Sequence, residues 1–488
     1  MVGVPGRSKG CSTCRKRKKG CDRGQPICSQ CSNAGLECGG YQRNIVFLNH
    51  TQVTKAGAVP VIYRKEPQNR SGHPLDGMND IALPNGLAQT AYIEKYISIF
   101  LTKYLPEGRS LTANGLGPSR DWIEIAHGLH TSDKAIQLSL LSLGLFAAGE
   151  SQHAIQSYCF ALRKLQTTLS VPCGAQNDST LATCQLLSLF EIFHGADENV
   201  LLQGRKWRSH LRGLLALIQT RSPSAYQSGV GHQLFADARY PLLIAAMKER
   251  RRFPLNTPEW RTIPWEKEPK SCIDKLYDIM ADMCDVLADA DQIHYCDDYV
   301  QKAKVHAEIL RACQCLDGSL QSWLREVGPL TDFHDINGIA IYPTGPSKLL
   351  LAHMTVLYCT IYVILYSILV SMHDPPLSEV PADINPAPYL RGVANALPYF
   401  WSQGAGMCGA YLAASSWGIC LHIVYASPHS YPEETALLEQ FVMQQSGANQ
   451  VLQFLESLQR STAGPEMAHI NGKEGMIRRA KTWMMGKH

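Results

Sequence analysis

Alternating apolar and polar residues, the mark of strands, are nearly absent from this 488-residue chain, so helices are left to build any large core. Also missing are a phosphate loop, a dinucleotide glycine fingerprint, a His-Glu-x-x-His pair and a nucleophile elbow. Those absences argue against nucleotide hydrolysis, hydride transfer, zinc proteolysis and serine hydrolysis, and no enzyme is expected. Gly144 to Gly149 has the first spacing of a phosphate loop but lacks the following Lys and hydroxyl, and reads as helix. The opening MVGVPGRSKG holds no apolar signal segment, so the cysteines are expected in a reducing compartment. Charge is sparse at 18%, against 45% hydrophobic residues. The net +4 conceals an asymmetry: residues 1 to 43 hold nine Lys or Arg against Asp22 and Glu37, so they carry +7 and the remainder −3. Polyanion binding is therefore expected at the amino terminus alone.

What that terminus does have is cysteine. Cys11, Cys14, Cys21, Cys28, Cys31 and Cys38 form two copies of Cys-x2-Cys-x6-Cys set seventeen positions apart. Structural zinc takes four ligands in a tetrahedron. Two ions then need eight coordination positions, and six thiolates supply them only if two thiolates bridge. Pseudo-symmetry restricts the bridging pair to Cys11 with Cys28, Cys14 with Cys31, or Cys21 with Cys38. The spacing leaves the three open.

The copies differ between their second and third cysteines. The first holds Arg15, Lys16, Arg17, Lys18 and Lys19, with Arg23 just beyond; the second holds Ser32 to Glu37 and no cation. Only the first half can face a polyanion, and each half reads as a short helix wrapped on the metal pair. A basic helix fits the major groove of double-stranded DNA. Lys18 is the expected base reader, and Arg15, Arg17, Lys19 and Arg23 the phosphate clamps. A secreted disulfide framework is disfavoured by the missing signal segment, and a metal-storage peptide would not confine its cations to one half. A nuclear import signal would not exclude DNA binding.

The segment resembles the fungal zinc binuclear cluster family in its spacing, its basic run, Asp22 and Pro26. The resemblance implies that Cys11 and Cys28 bridge two zinc ions and that Lys18 reads CGG-type triplets. It also implies a nuclear regulator of RNA polymerase II genes that contacts transcription machinery or co-regulators. One departure is Gly20, where the family usually carries Lys or Arg. Many relatives pair through a coiled coil after the cluster; no heptad seam follows here, which leaves dimerisation open.

Residues 44 to 88 have a linker composition, and residues 89 to 488 are expected to form an all-α domain, solenoid-like or an irregular bundle. Helical periodicity predicts helices over 92–105, 133–148, 151–169, 179–194, 201–220, 232–251, 273–287, 299–325, 349–372, 388–401, 407–425 and 433–458. Asp133 and Asp178 stand at expected caps. Breaks fall at 253–269, 328–346 and 373–388, the first expected to lay Trp260 and Trp265 over the helices. Arg250 to Phe253 ahead of Trp260, and Trp207 to Gly213, resemble the fungal-specific regulatory domain. Leu349 to Met372 is an uncharged run long enough to span a bilayer, but its polar residues and all-helical setting point to a core helix, with no membrane partner. His194 and His210 are expected as packed or exposed side chains. The eleven cysteines outside the cluster recreate no metal spacing and are expected to be inert thiols. The alternative function is a helical scaffold or enzyme that the cluster anchors to nucleic acid.

Overall fold

A computed structural model describes residues 10–24, 27–38, 86–106, 121–194, 200–293, 298–334, 340–341, 346–372, 383–427, 429–445 and 447–459. The chain divides into two compact units, Met1–Asp76 and Gly77–His488. In the first, α1 (Ser12–Lys16) and α2 (Ser29–Ser32) surround the six cysteines. The short helix expected in the basic half is α1, and it stops at Lys16, leaving Lys18 and Lys19 beyond its end.

The second unit is built of helices. Its first half holds α3 (Gly86–Tyr104), α4 (Trp122–Leu129), α5 (Lys134–Ala147), α6 (Ser151–Leu169), α7 (Asp178–Phe193), α8 (Val200–Gln219) and α9 (Gly229–Lys248). Then come the short α10 (Pro258–Thr262), α11 (Cys272–Gln292), α12 (Tyr299–Val327), α13 (Pro346–Met372), α14 (Ala387–Phe400), α15 (Gly406–Ala426), α16 (Pro432–Gln444) and α17 (Ala448–Gln459). No strand occurs among the described residues; an isolated antiparallel bridge joins His334 and Ala340.

Local sequence sets most of these boundaries. Asp133 accepts the N–H groups of Ala135 and Ile136 at 2.8 and 3.1 Å and starts α5. Asp121 does the same for α4 through Ile123 at 2.7 Å, and Ser271 with Asp274 closes a capping box on α11. Asp178 is not a cap: it is the first residue of α7, and its carboxylate instead accepts from Arg221 at 2.6 Å. The single helix expected over 433–458 is two: α16 ends at Gln444, and α17, from Ala448, packs against α8.

Packing closes the helices into an irregular bundle rather than a solenoid, in which each element would touch only its neighbours. The last helix, α17, packs on α7 and α8, and α15 reaches back to α3. The stripe Trp207, Leu211, Leu214 and Ile218 of α8 is buried, and Trp207 meets Phe454 of α17 edge-on at 5.4 Å. In the 253–269 break Trp260 stacks on Phe235 at 5.6 Å and Trp265 lies 6.1 Å from the same ring, so that segment is an ordered cover. Lys348–Met372 and Gly406–Ala426 are both long and apolar enough to cross a membrane, but 72% and 67% of an apolar 18-residue stretch in each is buried inside the protein. Burial by neighbouring helices is what a central core helix requires.

Gly144, read as helix, sits where α5 crosses α3: a Cβ there would lie 2.1 Å from the carbonyl oxygen of Tyr96. Gly144→Ala must push the two helices apart. It is expected to lower stability by about 1 to 3 kcal/mol, read as a lower urea midpoint at unchanged slope. An unchanged midpoint would show that the crossing can widen without loss.

Candidate metal centre and nucleic-acid interface

Four of the six cysteines in the first unit, Cys11, Cys14, Cys28 and Cys31, are fully buried, and Cys21 and Cys38 are half-buried. Their sulfurs form two sets of four, each within 4.8 Å of one another: Cys11, Cys14, Cys21 and Cys28, then Cys11, Cys28, Cys31 and Cys38. Cys11 and Cys28 belong to both sets, which matches one of the three bridging pairs that the spacing left open. Sulfur separations are 3.7 Å for Cys11–Cys28, Cys11–Cys31 and Cys14–Cys28, 3.8 Å for Cys14–Cys31, and 4.0 Å for Cys28–Cys38. A tetrahedron with zinc–sulfur bonds of about 2.3 Å has edges of about 3.8 Å. The thiols therefore already stand at the separations zinc demands. Loss of water around them pushes the Cys14 thiol up to about 12 and raises those of Cys28 and Cys31. Binding zinc must displace these protons, which makes affinity pH-dependent.

The two halves share a backbone plan with the seventeen-residue offset of the cysteines. Lys19 N–H donates to the Cys14 carbonyl at 3.1 Å, and its counterpart Leu36 N–H donates to the Cys31 carbonyl at 3.0 Å. Each bond reaches back five positions, as in a Schellman stop, whose turn places one residue in the left-handed region. In the second half that residue is Gly35, φ 62; in the first it is Lys18, φ 54. Glycine adopts this conformation freely, whereas a lysine is strained by it. Arg23, φ 61, is strained in the same way. The carboxylate of Asp22 accepts the Ser29 N–H at 3.1 Å and the Ser29 hydroxyl, tying the connecting loop to α2 and lowering its own pKa. Thr13 donates to the Glu37 carbonyl at 2.9 Å, joining one half to the other.

Lys16, Arg17, Lys18, Lys19 and Arg23 are all exposed on the first half. Arg15 lies on α1, and its side chain falls outside the described residues. A Cβ at Gly20 would meet nothing within 4 Å, so neither space nor backbone requires glycine there. The strongest basic run of the second unit is neutralised: Arg250 pairs with Asp291 at 2.6 Å, Arg251 with Glu249, and Arg252 with Asp289. Within the Trp207 to Gly213 stretch, Arg208 donates to the Leu458 carbonyl at 3.0 Å and His210 meets the Tyr158 hydroxyl at 2.7 Å. Burial drives His210 down to about 4. That stretch holds the bundle together.

Among the described residues one further group could hold a metal: Glu94, His127 and His130. His130 Nε2 is already bonded to Glu94 at 2.8 Å and its Nδ1 faces the His127 carbonyl, so the group fastens α4 to α3. Burial pushes the thiols of Cys184 and Cys359 up to about 12 and Cys313 to about 11, as inert thiols require.

Six thiols in two overlapping sets of four, with exposed cations on one half and a closed helical bundle as the larger unit, have the donor set and charge of a zinc-held DNA-binding module. Residues 9–45 match the fungal Zn(2)-Cys(6) binuclear cluster domain, and residues 96–382, more than half the chain, match the fungal specific transcription factor domain. The chain belongs to this fungal transcription factor family, and its cluster binds two zinc ions. It is 35% identical over 83 residues to the transcriptional regulatory protein pro1 of Neurospora crassa, covering 17% of this chain and 12% of that protein. It is 30% identical over 106 residues to an uncharacterized protein of Emericella nidulans, covering 22% of this chain and 21% of that one. The chain thus matches about a fifth or less of these relatives' lengths. No solved structure matches it.

Proposed function

We propose that the protein is a nuclear regulator of RNA polymerase II genes that reads CGG-type triplets through Lys18 and catalyses no reaction of its own. In this reading Cys11 and Cys28 bridge the two zinc ions, Cys14 and Cys21 complete one tetrahedron, and Cys31 and Cys38 complete the other. Residues 1–43 form the reader, 44–88 a tether, and 89–488 the domain that contacts transcription machinery or co-regulators. Arg15, Lys16, Arg17, Lys19 and Arg23 hold phosphates. Six thiolates and two zinc ions leave the cluster at −2, so these cations also offset its repulsion from DNA.

The observation that carries the reading is the strained backbone of Lys18. The equivalent residue in the other half is glycine, the default for a Schellman stop. A lysine kept where glycine would cost less points to use of its side chain. Lysine can donate to both guanine acceptors in the major groove.

Lys18→Gly relieves the backbone cost, so the zinc-loaded cluster is expected to be at least as stable as wild type. Affinity for the preferred duplex should nonetheless fall by about 1 to 3 kcal/mol with little change on a scrambled one. Lys19→Ala should weaken both duplexes alike and flatten the slope of log affinity against log salt by about one unit. Titrations at several salt concentrations distinguish them. Equal losses on both duplexes for Lys18→Gly would place Lys18 on the phosphate backbone and sequence reading elsewhere.

A further inference from the structure

A cavity of about 320 Å³ lies in the second unit between α9, α11, α13, α15 and α17. That is the small end of the range for small-molecule sites, ~300 to 1,000 Å³. Its walls are aliphatic, with Ile244, Ile364, Ile368, Ile419 and Leu455 among them. Its serines are already engaged: Ser367 donates to the Val363 carbonyl at 2.6 Å, Ser371 to the Ile368 carbonyl at 2.8 Å, and Ser415 lies 2.9 Å from the Tyr240 hydroxyl.

The cations at the edge of the cavity are not equivalent. Arg250, held at φ 49 where α9 stops, forks onto Asp291 at 2.6 and 2.7 Å. Glu249, the acid next to Lys248 in the chain, is taken by Arg212 at 3.2 Å and by Arg251. Arg208 spends its donor on the Leu458 carbonyl. Lys248 is left with no carboxylate among the described residues. Desolvation, then the charge of Arg208, brings its ammonium down to about 8, so it remains a cation at neutral pH. Burial and the charges of Lys248 and Arg250 push His422, also on the lining, downward, which disfavours a second positive charge there. A desolvated cation beside aliphatic walls is costly until an anion joins it.

We propose that this cavity binds a small amphipathic carboxylate, its aliphatic chain between α13 and α15 and its headgroup on Lys248. Such a ligand would stabilise five helices drawn from separate parts of the chain, which gives the helical unit an input independent of DNA. The chain's own residues 460–488, which follow the cavity residue Leu458, are the competing occupant. They carry six Lys or Arg against Glu466 and Glu474, the wrong sign for Lys248.

The test uses the zinc-loaded full chain, with octanoate and 1-octanol compared by calorimetry and thermal unfolding. Octanoate should bind saturably, raise the unfolding midpoint and bind at least about tenfold tighter than octanol, as expected when a desolvated cation gains its partner. Lys248→Met should erase that preference, and Lys248→Arg, which keeps the charge, should retain it. Ser367→Phe, which fills the cavity, should abolish binding of both. Equal affinity of octanoate and octanol for the wild type would overturn the proposal, as would octanoate binding unchanged by Ser367→Phe. Octanoate binding that appears only after deletion of 460–488 would assign the cavity to the chain's own end instead.

Discussion

Chelation of zinc is expected to unfold residues 10 to 38 and leave the helical unit folded. About thirty residues bury too little apolar surface to fold alone, and the buried side chains among the described residues of this unit are cysteines. Coordination of a structural zinc supplies on the order of 10 to 16 kcal/mol in comparable peptides, more than any other interaction in that unit could replace. Hydrogen exchange on the full chain provides the measurement. Peptides covering 10–24 and 27–38 should exchange at unfolded rates after chelation while those of α5, α7 and α13 stay protected. Because the thiols must give up protons, zinc should be lost progressively as pH falls. Metal analysis should find two zinc ions per chain; a value of one, or cluster protection that survives chelation, would remove the binuclear arrangement.

The second large effect concerns a buried acid. Asp121 caps α4 through one oxygen, while the other finds no partner among the described residues. Desolvation, reinforced by the charge of Glu124, raises its carboxyl from 3.8 to about 7. It lines a small cavity with Asp237, whose pKa burial and the charge of Asp121 also raise. For an acid whose folded pKa is raised, the stability it contributes is fully present below the unfolded value of ~3.9 and lost as pH rises through the folded one. The helical unit should therefore weaken, through this group, between about pH 4 and pH 7. Asp121→Asn keeps the cap acceptor and cannot ionise. Relative to wild type it should gain up to about 4 kcal/mol between pH 4 and pH 8, some of it through relief of Asp237. Urea unfolding of both proteins across that range tests this. A constant difference would mean that Asp121 is not desolvated.

The sequence alone was sufficient for whatever depends on spacing along one short segment. The six thiols, their doubled pattern and the cations confined to one half were legible because ligands must come within a few ångströms of one metal pair, and a tight loop brings them there. Helix spans were legible for the same local reason. The predicted 151–169 is Ser151–Leu169 in the structure, because a 3.6-residue period and its terminators are written into the segment itself. α4 carried its own signal, an aspartate ahead of an amphipathic run, and was missed because it is short.

The tertiary structure decided the rest. Which cysteines sit in both four-sulfur sets depends on how the two halves fold onto each other. The left-handed backbone at Lys18 follows from the turn that returns the chain to Cys21, and nothing in the run of cations announces it. Asp178 looked like a cap, yet Arg221, 43 residues away, claims its carboxylate. The break between α16 and α17 accompanies the packing of α17 on α8. How much of Leu349 to Met372 is covered by protein depends on the helices packed around it. The cavity beside Lys248 takes its walls from five helices, and such a site arises only after the chain has packed.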